Sequence, residues 1–267
     1  DARGMPRGWR VPLLPAAAAA LALAFALARG LVPPPCSPAW PRTMGAMASK
    51  TPTPGTSRDE YQQDGPVARK IAAVTPYFPF KGIDRFYDIG GFMKDPEAFR
   101  LAVEVLTERY RNAGLTSIGC IDARGFVLGP PVALNLGLPC FMLRKKGKMP
   151  NAVTGAAYSK EYAGNDSLSI PRGAVSAGDK VLLIDDLVAT GGTLAASVEL
   201  VKVMGGEVVE CACVVELKFL NAAAMFEQKG FGDVPIWALM SEEILELDGM
   251  ASPDIPTDGY VDDGEAH

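Results

Sequence analysis

The chain has 267 residues, of which 48% are hydrophobic, 21% charged and 8% aromatic. This composition is typical of a globular protein with one large domain, or one domain that carries appendages. The formal net charge is −5 at pH 7. A dedicated nucleic-acid-binding protein usually carries a surplus of basic residues, so the charge argues against that class.

The cysteine and histidine content excludes several kinds of site. The only histidine is the last residue, His267, so no Ser-His or Cys-His nucleophile system is expected. The cysteines are irregularly spaced and contain no CxxC pair, which argues against a disulfide framework and a zinc site. They are Cys36, Cys120, Cys140, Cys211 and Cys213. A general acid must then be a carboxylate, a tyrosine or a lysine.

Residues 1–50 differ in composition from the rest of the chain. Three arginines precede an apolar stretch at 16–28, and a proline-rich run follows. This order is typical of a secretory-type signal, and the stretch is shorter than the roughly 20 residues that span a bilayer. Two interpretations stay open: a targeting leader, or a segment absent from the working protein. We expect a flexible linker at 51–66, and a cytoplasmic location unless the leader directs the chain to an organelle or the secretory route.

From residue 67 onward, apolar strands alternate with helices. Helices are predicted from Asp95-Pro96 to Gly114, and at 125–137, 193–204 and 217–229. Two prolines predict that the helix at 125–137 is broken or begins late. The predicted strands are 117–121, 139–143, 181–184, 208–215 and 236–239. Because these strands are apolar throughout, the pattern predicts an α/β fold with a central parallel sheet flanked by helices. Ligands of such sheets bind beyond the carboxyl ends of the strands.

One strand end combines two carboxylates with a glycine-threonine loop. Asp185 and Asp186 follow the strand at 181–184, and a loop of small and hydroxyl residues then leads into a helix. The loop residues are Ala189, Thr190, Gly191, Gly192 and Thr193. Backbone N–H groups at such a helix start suit a phosphate monoester. The acids are placed to accept hydrogen bonds from ribose hydroxyls and to favour a cationic sugar in the transition state.

Two further strand ends carry basic residues. Arg124 lies in the motif Asp-Ala-Arg-Gly-Phe after the strand at 117–121, and Arg144 and Lys148 follow the strand at 139–143. Taken alone, each is most often an exposed charge. Because the carboxyl ends of parallel strands share one edge, the three could together bind a pyrophosphate, with arginine contacting two oxygens.

The string at 181–193 resembles the phosphoribosyl pyrophosphate (PRPP) signature of type I phosphoribosyltransferases, and its segment VATGGT is similar to the form in adenine phosphoribosyltransferases. No lysine follows the glycines, so the loop is not of the GxxxxGK[ST] kind. The resemblance implies a phosphoribosyltransferase domain at 67–244 with a hood near 71–94 and a catalytic loop at 146–166. An acidic tail at 245–267 has no clear counterpart.

The resemblance also implies residue roles. Glu161, Asp185 and Asp186 would be catalytic, with Glu161 managing the purine proton. Arg124, Arg144, Lys148 and Tyr162 would contact pyrophosphate. Arg85 and Phe86, in a segment similar to the hood of the family, would contact adenine together with Glu161. By itself, Glu161 is most simply a solvated loop acid in a polar segment without periodicity.

The implied reaction is purine salvage: adenine plus PRPP gives AMP plus diphosphate. Magnesium would be held mainly by substrate oxygens, with no metal site in the protein itself. The resemblance implies a homodimer, and neither a nucleic-acid partner nor stable membrane association is expected. Two alternatives stay open. One is a transferase for another base (hypoxanthine-guanine, xanthine or orotate). The other is a non-catalytic PRPP-sensing regulator, which should carry a nucleic-acid-binding module or lose the catalytic loop.

Overall fold

The computed structural model describes residues 59–80, 83–156, 158–159 and 165–251. All of them belong to the compact unit Pro52–His267. The helices are α1 (Pro66–Ala72), α2 (Ile89–Phe92), α3 (Pro96–Tyr110), α4 (Gly125–Leu136), α5 (Gly192–Val203), α6 (Ala222–Gln228) and α7 (Glu242–Asp248). The predicted leader at 1–50 and most of the predicted linker lie outside the described residues.

The strands are β1 (Pro76–Phe80), β2 (Ile83–Tyr87), β3 (Ser117–Ile121), β4 (Cys140–Lys145), β5 (Ala152–Thr154), β6 (Tyr158–Ser159), β7 (Asn165–Asp166), β8 (Leu168–Pro171), β9 (Lys180–Ile184), β10 (Leu187–Val188), β11 (Glu207–Glu216), β12 (Ile236–Ser241) and β13 (Met250–Ala251). Short 3-10 turns lie at Asp59–Tyr61 and Lys218–Leu220. Each strand predicted from the sequence is present within two residues of its expected ends.

The central sheet is mixed. Its strands run in the order β10-β11-β9-β3-β4-β8-β5, and β12 pairs with β11. The pairs among β3, β4, β9, β10, β11 and β12 are parallel. The pairs of β8 with β4 and with β5 are antiparallel. The predicted parallel sheet is therefore confirmed for the centre, and an antiparallel extension that the sequence did not indicate completes one edge.

Both faces of the sheet are covered, as its apolar strands predicted. One face packs with α1, α3 and α4, where Ile118, Leu182 and Leu106 belong to the same hydrophobic cluster. The other face packs with α5 and α6, where Leu183 and Val198 belong to a second cluster. Successive residues of β9 therefore enter opposite clusters, which is why β9 has no polar alternation.

Two helices differ from their predicted form. The helix α4 runs without a break through Pro130 and Pro131. Leu128 and Val132 on this helix are fully buried, and burial of about 1.5–3 kcal/mol per side chain offsets the roughly 3 kcal/mol that an internal proline costs. The helix predicted at 217–229 is instead a 3-10 turn followed by α6. The two are separated by Asn221, whose left-handed φ of 49° interrupts the helix and whose side chain caps α6.

A second sheet has three strands, of which β1 and β2 lie in the segment predicted as a hood and β13 comes from Met250–Ala251. The strands β1 and β2 are antiparallel, and β13 pairs in parallel with β1. The sequence placed the start of a solvated tail at residue 245, yet Leu245 is fully buried within α7. Residues 252–267 of the predicted tail lie outside the described residues.

Candidate active site

The phosphate loop, defined here as residues 189–193, connects β10 to the start of α5. Gly191 is the N-cap of α5 and has a left-handed φ of 85°, a conformation that favours glycine. A Cβ at this position would lie 3.1 Å from the Cβ of Ala222. The loop therefore needs glycine both for its turn and for its close approach to α6. The first N–H groups of α5 have no partner within the helix, so this helix start can donate to an anion.

The two acids precede this loop, separated from it by the two residues of β10, and are almost completely buried. The exposed fraction is 7% for Asp185 and 5% for Asp186. The backbone N–H of Asp186 donates to Oδ1 of Asp185 over 2.9 Å. Burial raises the pKa of Asp185 well above its ordinary value, and the neighbouring Asp186 charge raises it further. Two carboxyl groups in one desolvated site resist simultaneous ionisation. A cation beside the pair would relieve this repulsion, so the site favours a cationic partner.

Arg124 meets this acid pair. Its Nε lies 2.6 Å from Oδ2 of Asp186, and the arginine side chain is 46% exposed. Gly125, the next residue, has no room for a side chain, because a Cβ would lie 2.5 Å from the carbonyl oxygen of Ile184. The sequence grouped Arg124 with the acids only through strand order. The structure adds Gly125 as the residue that lets the two loops approach.

Arg144 and Lys148 also lie together at this edge. Arg144 Nη1 donates to the carbonyl oxygen of Lys148 over 3.0 Å, and the guanidinium lies 5.9 Å from the centre of the Phe126 ring. Its Nε is 3.6 Å from Oδ2 of Asp122, and the same oxygen accepts a long bond from Lys145 N. Asp122 is the first residue of the motif that contains Arg124, but no role was predicted for it from the sequence. Its place directly after an apolar strand was the available signal.

Glu161 and Tyr162 lie outside the described residues. The strands on either side of them are paired, with Tyr158 opposite Asp166 and Ser159 opposite Asn165. The predicted loop at 146–166 is thus not structureless, because it contains β5 and this two-stranded hairpin. Strands of two or three residues are too short to show a periodic pattern in the sequence, which explains why they were not predicted.

The predicted base-contacting residues lie on β2 of the small sheet. The backbone of Arg85 is part of this strand, while its side chain lies outside the described residues. Phe86 is paired with Phe78 on β1, and their ring centroids are 5.8 Å apart. Phe78 had not been singled out from the sequence. The two rings are tilted by 45° to each other and offer an apolar aromatic surface, against which a purine ring could pack.

The described residues contain no group of three or more His, Cys, Asp or Glu side chains that could hold a metal ion. Cys120, Cys140, Cys211 and Cys213 are free thiols. Among the described helices, none combines the length and apolar character needed to cross a bilayer.

Comparison with known proteins places this site in a family. The family model described as "Phosphoribosyl transferase domain" matches residues 94–231. Adenine phosphoribosyltransferase 1 of Triticum aestivum is 41% identical over 177 residues, which cover 66% of this chain and 93% of that relative. Adenine phosphoribosyltransferase of Escherichia coli K12 is 43% identical over 153 residues, covering 57% and 82%.

Solved structures agree. The adenine phosphoribosyl transferase of Trypanosoma brucei, in complex with AMP, pyrophosphate and ribose-5-phosphate, superposes with a TM-score of 0.69 at 29% identity. The superposition covers 76% of this chain and 92% of that one. The enzyme from Leishmania tarentolae gives a TM-score of 0.65 at 30% identity, covering 72% and 94%. The chain therefore belongs to the phosphoribosyltransferase family, in its adenine phosphoribosyltransferase group.

Proposed function

We propose that this chain transfers the phosphoribosyl group of PRPP to adenine and releases AMP and diphosphate, the pentosyl transfer of adenine salvage. One observation carries the proposal most directly. Arg124 lies 2.6 Å from Asp186, one of two buried acids, and a glycine-threonine loop follows these acids at the start of α5. The chain is 41% identical to a plant adenine phosphoribosyltransferase over 93% of the length of that relative.

In this mechanism the sugar phosphate is bound by the strand end after β9. The phosphate loop donates backbone and threonine hydrogen bonds to the 5′-phosphate. Asp185 and Asp186 accept hydrogen bonds from the ribose hydroxyls. As the bond from C1 to the pyrophosphate oxygen breaks, positive charge grows on the sugar. The buried carboxyl pair stabilises that charge strongly because little water screens it.

The leaving group is bound by Arg124, Arg144, Lys148 and Tyr162. Pyrophosphate departs with the electron pair of the broken bond, and the cationic groups balance its charge. Arg124 contacts Asp186. We infer that the guanidinium exchanges this carboxylate for pyrophosphate oxygens when PRPP binds. The carboxylate of Asp186 then becomes available to the ribose.

The base is bound by Arg85 and Phe86, with Glu161 closing over it. The adenine nitrogen that attacks C1 forms the new glycosidic bond and loses its proton. Glu161 accepts that proton, since the transferase domain contains no histidine that could do so. Closure of the loop at 146–166 excludes water that would otherwise capture the reactive sugar.

Magnesium is proposed to arrive with the substrate. Asp185 and Asp186 carry the hard oxygen donors that this ion prefers. One oxygen of Asp185 already accepts the backbone N–H of Asp186, and one oxygen of Asp186 pairs with Arg124. These residues fit a role beside a substrate-carried ion better than a complete cage. When bound, magnesium would neutralise charge on the pyrophosphate.

We further propose a homodimer and a cytoplasmic location, with an organelle or secretory route if residues 1–50 act as a leader. Support for the dimer comes from apolar side chains that α4 and β4 leave exposed. The exposed fraction is 46% for Val127, 82% for Leu134 and 47% for Met142. Val127 and Leu134 are two helical turns apart and so share one face of α4, and exposed apolar residues on one face are typical of subunit interfaces.

The test of the proposed reaction is direct. Purified protein is mixed with PRPP, magnesium and, in separate reactions, adenine, hypoxanthine, guanine, xanthine or orotate, and the nucleotide formed is identified by mass spectrometry. We expect AMP from adenine and little product from the other bases. Formation of a different nucleotide would show that the chain acts on another base. If PRPP binds but no nucleotide forms, the chain is a PRPP-sensing regulator.

A further inference from the structure

A buried carboxylate behind the active site has no part in the mechanism above. Glu242 begins α7, directly after β12, and is only 9% exposed. It accepts two backbone hydrogen bonds from the neighbouring strand end. The N–H of Lys218 donates to Oε2 over 2.9 Å, and the N–H of Phe219 donates to Oε1 over 3.2 Å. Both oxygens of one carboxylate thus hold the first two residues of the 3-10 turn Lys218–Leu220.

This turn supports the phosphate loop. Just before it, Leu217 N–H donates to the carbonyl oxygen of Val188 over 2.9 Å, one residue ahead of the loop. Just after it, Ala222 approaches Gly191 so closely that an added Cβ would lie 3.1 Å away. The turn therefore connects two points of contact, one at Val188 just before the loop and one at Gly191 in its centre. A shift of the turn would move both.

A second carboxylate fixes the same region from the opposite side. Asp64 accepts hydrogen bonds from the N–H of Ser241 over 2.7 Å and from its hydroxyl over 2.8 Å. The ammonium of Lys218 also donates to Asp64, over 3.3 Å. Glu242 follows Ser241 in the chain, so its backbone is held in place by Asp64. These bonds fix the position from which the carboxylate of Glu242 binds the turn.

We propose that Glu242 is a positioning residue for the phosphate loop: its carboxylate holds the turn Lys218–Leu220, and the turn holds residues 189–193 in the geometry that binds the 5′-phosphate of PRPP. The inference rests on the proposed phosphate role of the loop. Charge-assisted hydrogen bonds to a carboxylate are among the stronger kinds, so losing them should disturb the loop measurably. Glu242 touches neither adenine nor the reacting atoms in this account.

The first test compares Glu242→Gln with Glu243→Gln. Gln keeps the size of the side chain but replaces one acceptor oxygen with a donor, which cannot accept a backbone N–H. Glu243 is the matched control, because it is adjacent and 69% exposed, and its carboxylate lies 4.0 Å from the Lys218 ammonium. We expect Glu242→Gln to raise the KM for PRPP by about tenfold, the effect of one lost charge-assisted bond. The KM for adenine and the value of kcat should change less than about twofold.

The second test removes the donor rather than the acceptor. Lys218→Pro deletes the N–H that bonds to Glu242, at a first-turn position where proline is tolerated. Lys218→Ala is its control, since both variants lose the ammonium and only the first loses the N–H. We expect a higher PRPP KM for the proline variant than for the alanine variant. This pair keeps the proposal testable even if Glu242 variants fold poorly.

Binding of ribose 5-phosphate, measured by calorimetry, separates the possible failures. If the wild-type protein does not bind this ligand, the proposed function of the loop fails. If wild type and Glu242→Gln bind it equally, or if Glu242→Gln lowers only the melting temperature, Glu242 is merely structural and the inference is overturned. A larger rise in the KM for adenine than for PRPP would also overturn it.

Discussion

Asp185, which we propose to be catalytic, has a cost to stability. It is 7% exposed, and burial together with the Asp186 charge raises its pKa well above the ordinary value. A charged carboxylate in this buried position destabilises the folded protein. Asp185→Asn keeps an oxygen that can accept the Asp186 N–H. We therefore expect this variant to be more stable at pH 8 by about 1.4 kcal/mol for each unit of the pKa rise, and about 100-fold slower in the transfer reaction.

The pH dependence follows from the same raised pKa. In the unfolded chain Asp185 loses its proton near pH 3.9, whereas the folded protein keeps it to higher pH. The contribution of Asp185 to stability is therefore fully present below pH of about 3.9 and is lost as pH rises through the folded value. Urea unfolding at pH 5 and pH 8 should show wild type losing more stability than Asp185→Asn over this interval. Equal losses, or a less stable variant at pH 8, would contradict the assignment.

For single residues, the sequence predicted which residues form the site, but not which of them contact one another. The acids, glycines and basic residues of the strand ends were identified from order alone. What it could not predict was that Arg124 reaches Asp186, or that Asp122 approaches Arg144, because these contacts depend on how far neighbouring loops extend. Glu242 carried no sequence signal, since a Glu in the first turn of a helix is common on any surface.

Among the elements, the phosphate loop gives the sharpest test of glycine geometry. Gly191 and Gly137 both have left-handed φ angles, 85° and 68°. A Cβ at Gly137 would meet nothing within 4 Å, whereas one at Gly191 would contact Ala222. Alanine should cost about 1–2 kcal/mol of folding free energy at either position. Only Gly191→Ala should also raise the KM for PRPP, by more than about tenfold. Chemical denaturation and steady-state kinetics on both variants distinguish these effects, and a normal PRPP KM for Gly191→Ala would refute the role of the loop.

The hairpin of β6 and β7 leads to a prediction about proton transfer. Glu161 lies in the sequence between these two paired strands. If it manages the purine proton, Glu161→Gln should lower kcat by about 10²–10⁴-fold, the usual contribution of general acid–base catalysis. The affinity for PRPP should change little. Glu199→Gln, the same change at an exposed position on α5, is the control. Near-normal turnover in Glu161→Gln would remove Glu161 from this role.

The elements that the sequence predicted best are those with a long apolar signal. The strands β3, β9 and β11 were predicted to within one residue at each end, because burial on both faces makes them mostly apolar, with Glu210 as an exception inside β11. The short strands β5 to β8 were missed, since two to four residues carry no period. Continuity of α4 through its prolines could not be predicted either, because it depends on packing of Leu128 and Val132 against the sheet.

For the whole molecule, the exposed apolar residues of α4 predict assembly. Light scattering should give twice the chain mass of 28.2 kDa for the wild-type protein. Leu134→Glu places a charge at the most exposed apolar position, which is 82% accessible, and should shift the protein toward the monomer. Val203→Glu is the matched control, because Val203 is 69% exposed and lies on α5, the helix that packs against the other face of the sheet. A monomeric wild type, or equal effects of both variants, would contradict this interface.

The account depends on recognition of an activated sugar phosphate by the acid pair and the phosphate loop. The measurement that tests this most directly is a calorimetric titration of PRPP with saturating magnesium into the wild-type protein and into the double variant Asp185→Ala, Asp186→Ala. The account predicts saturable binding to the wild type and affinity at least about 100-fold weaker in the double variant, a loss of roughly 2.8 kcal/mol. No binding heat with the wild type, or the same affinity in both proteins, would contradict it.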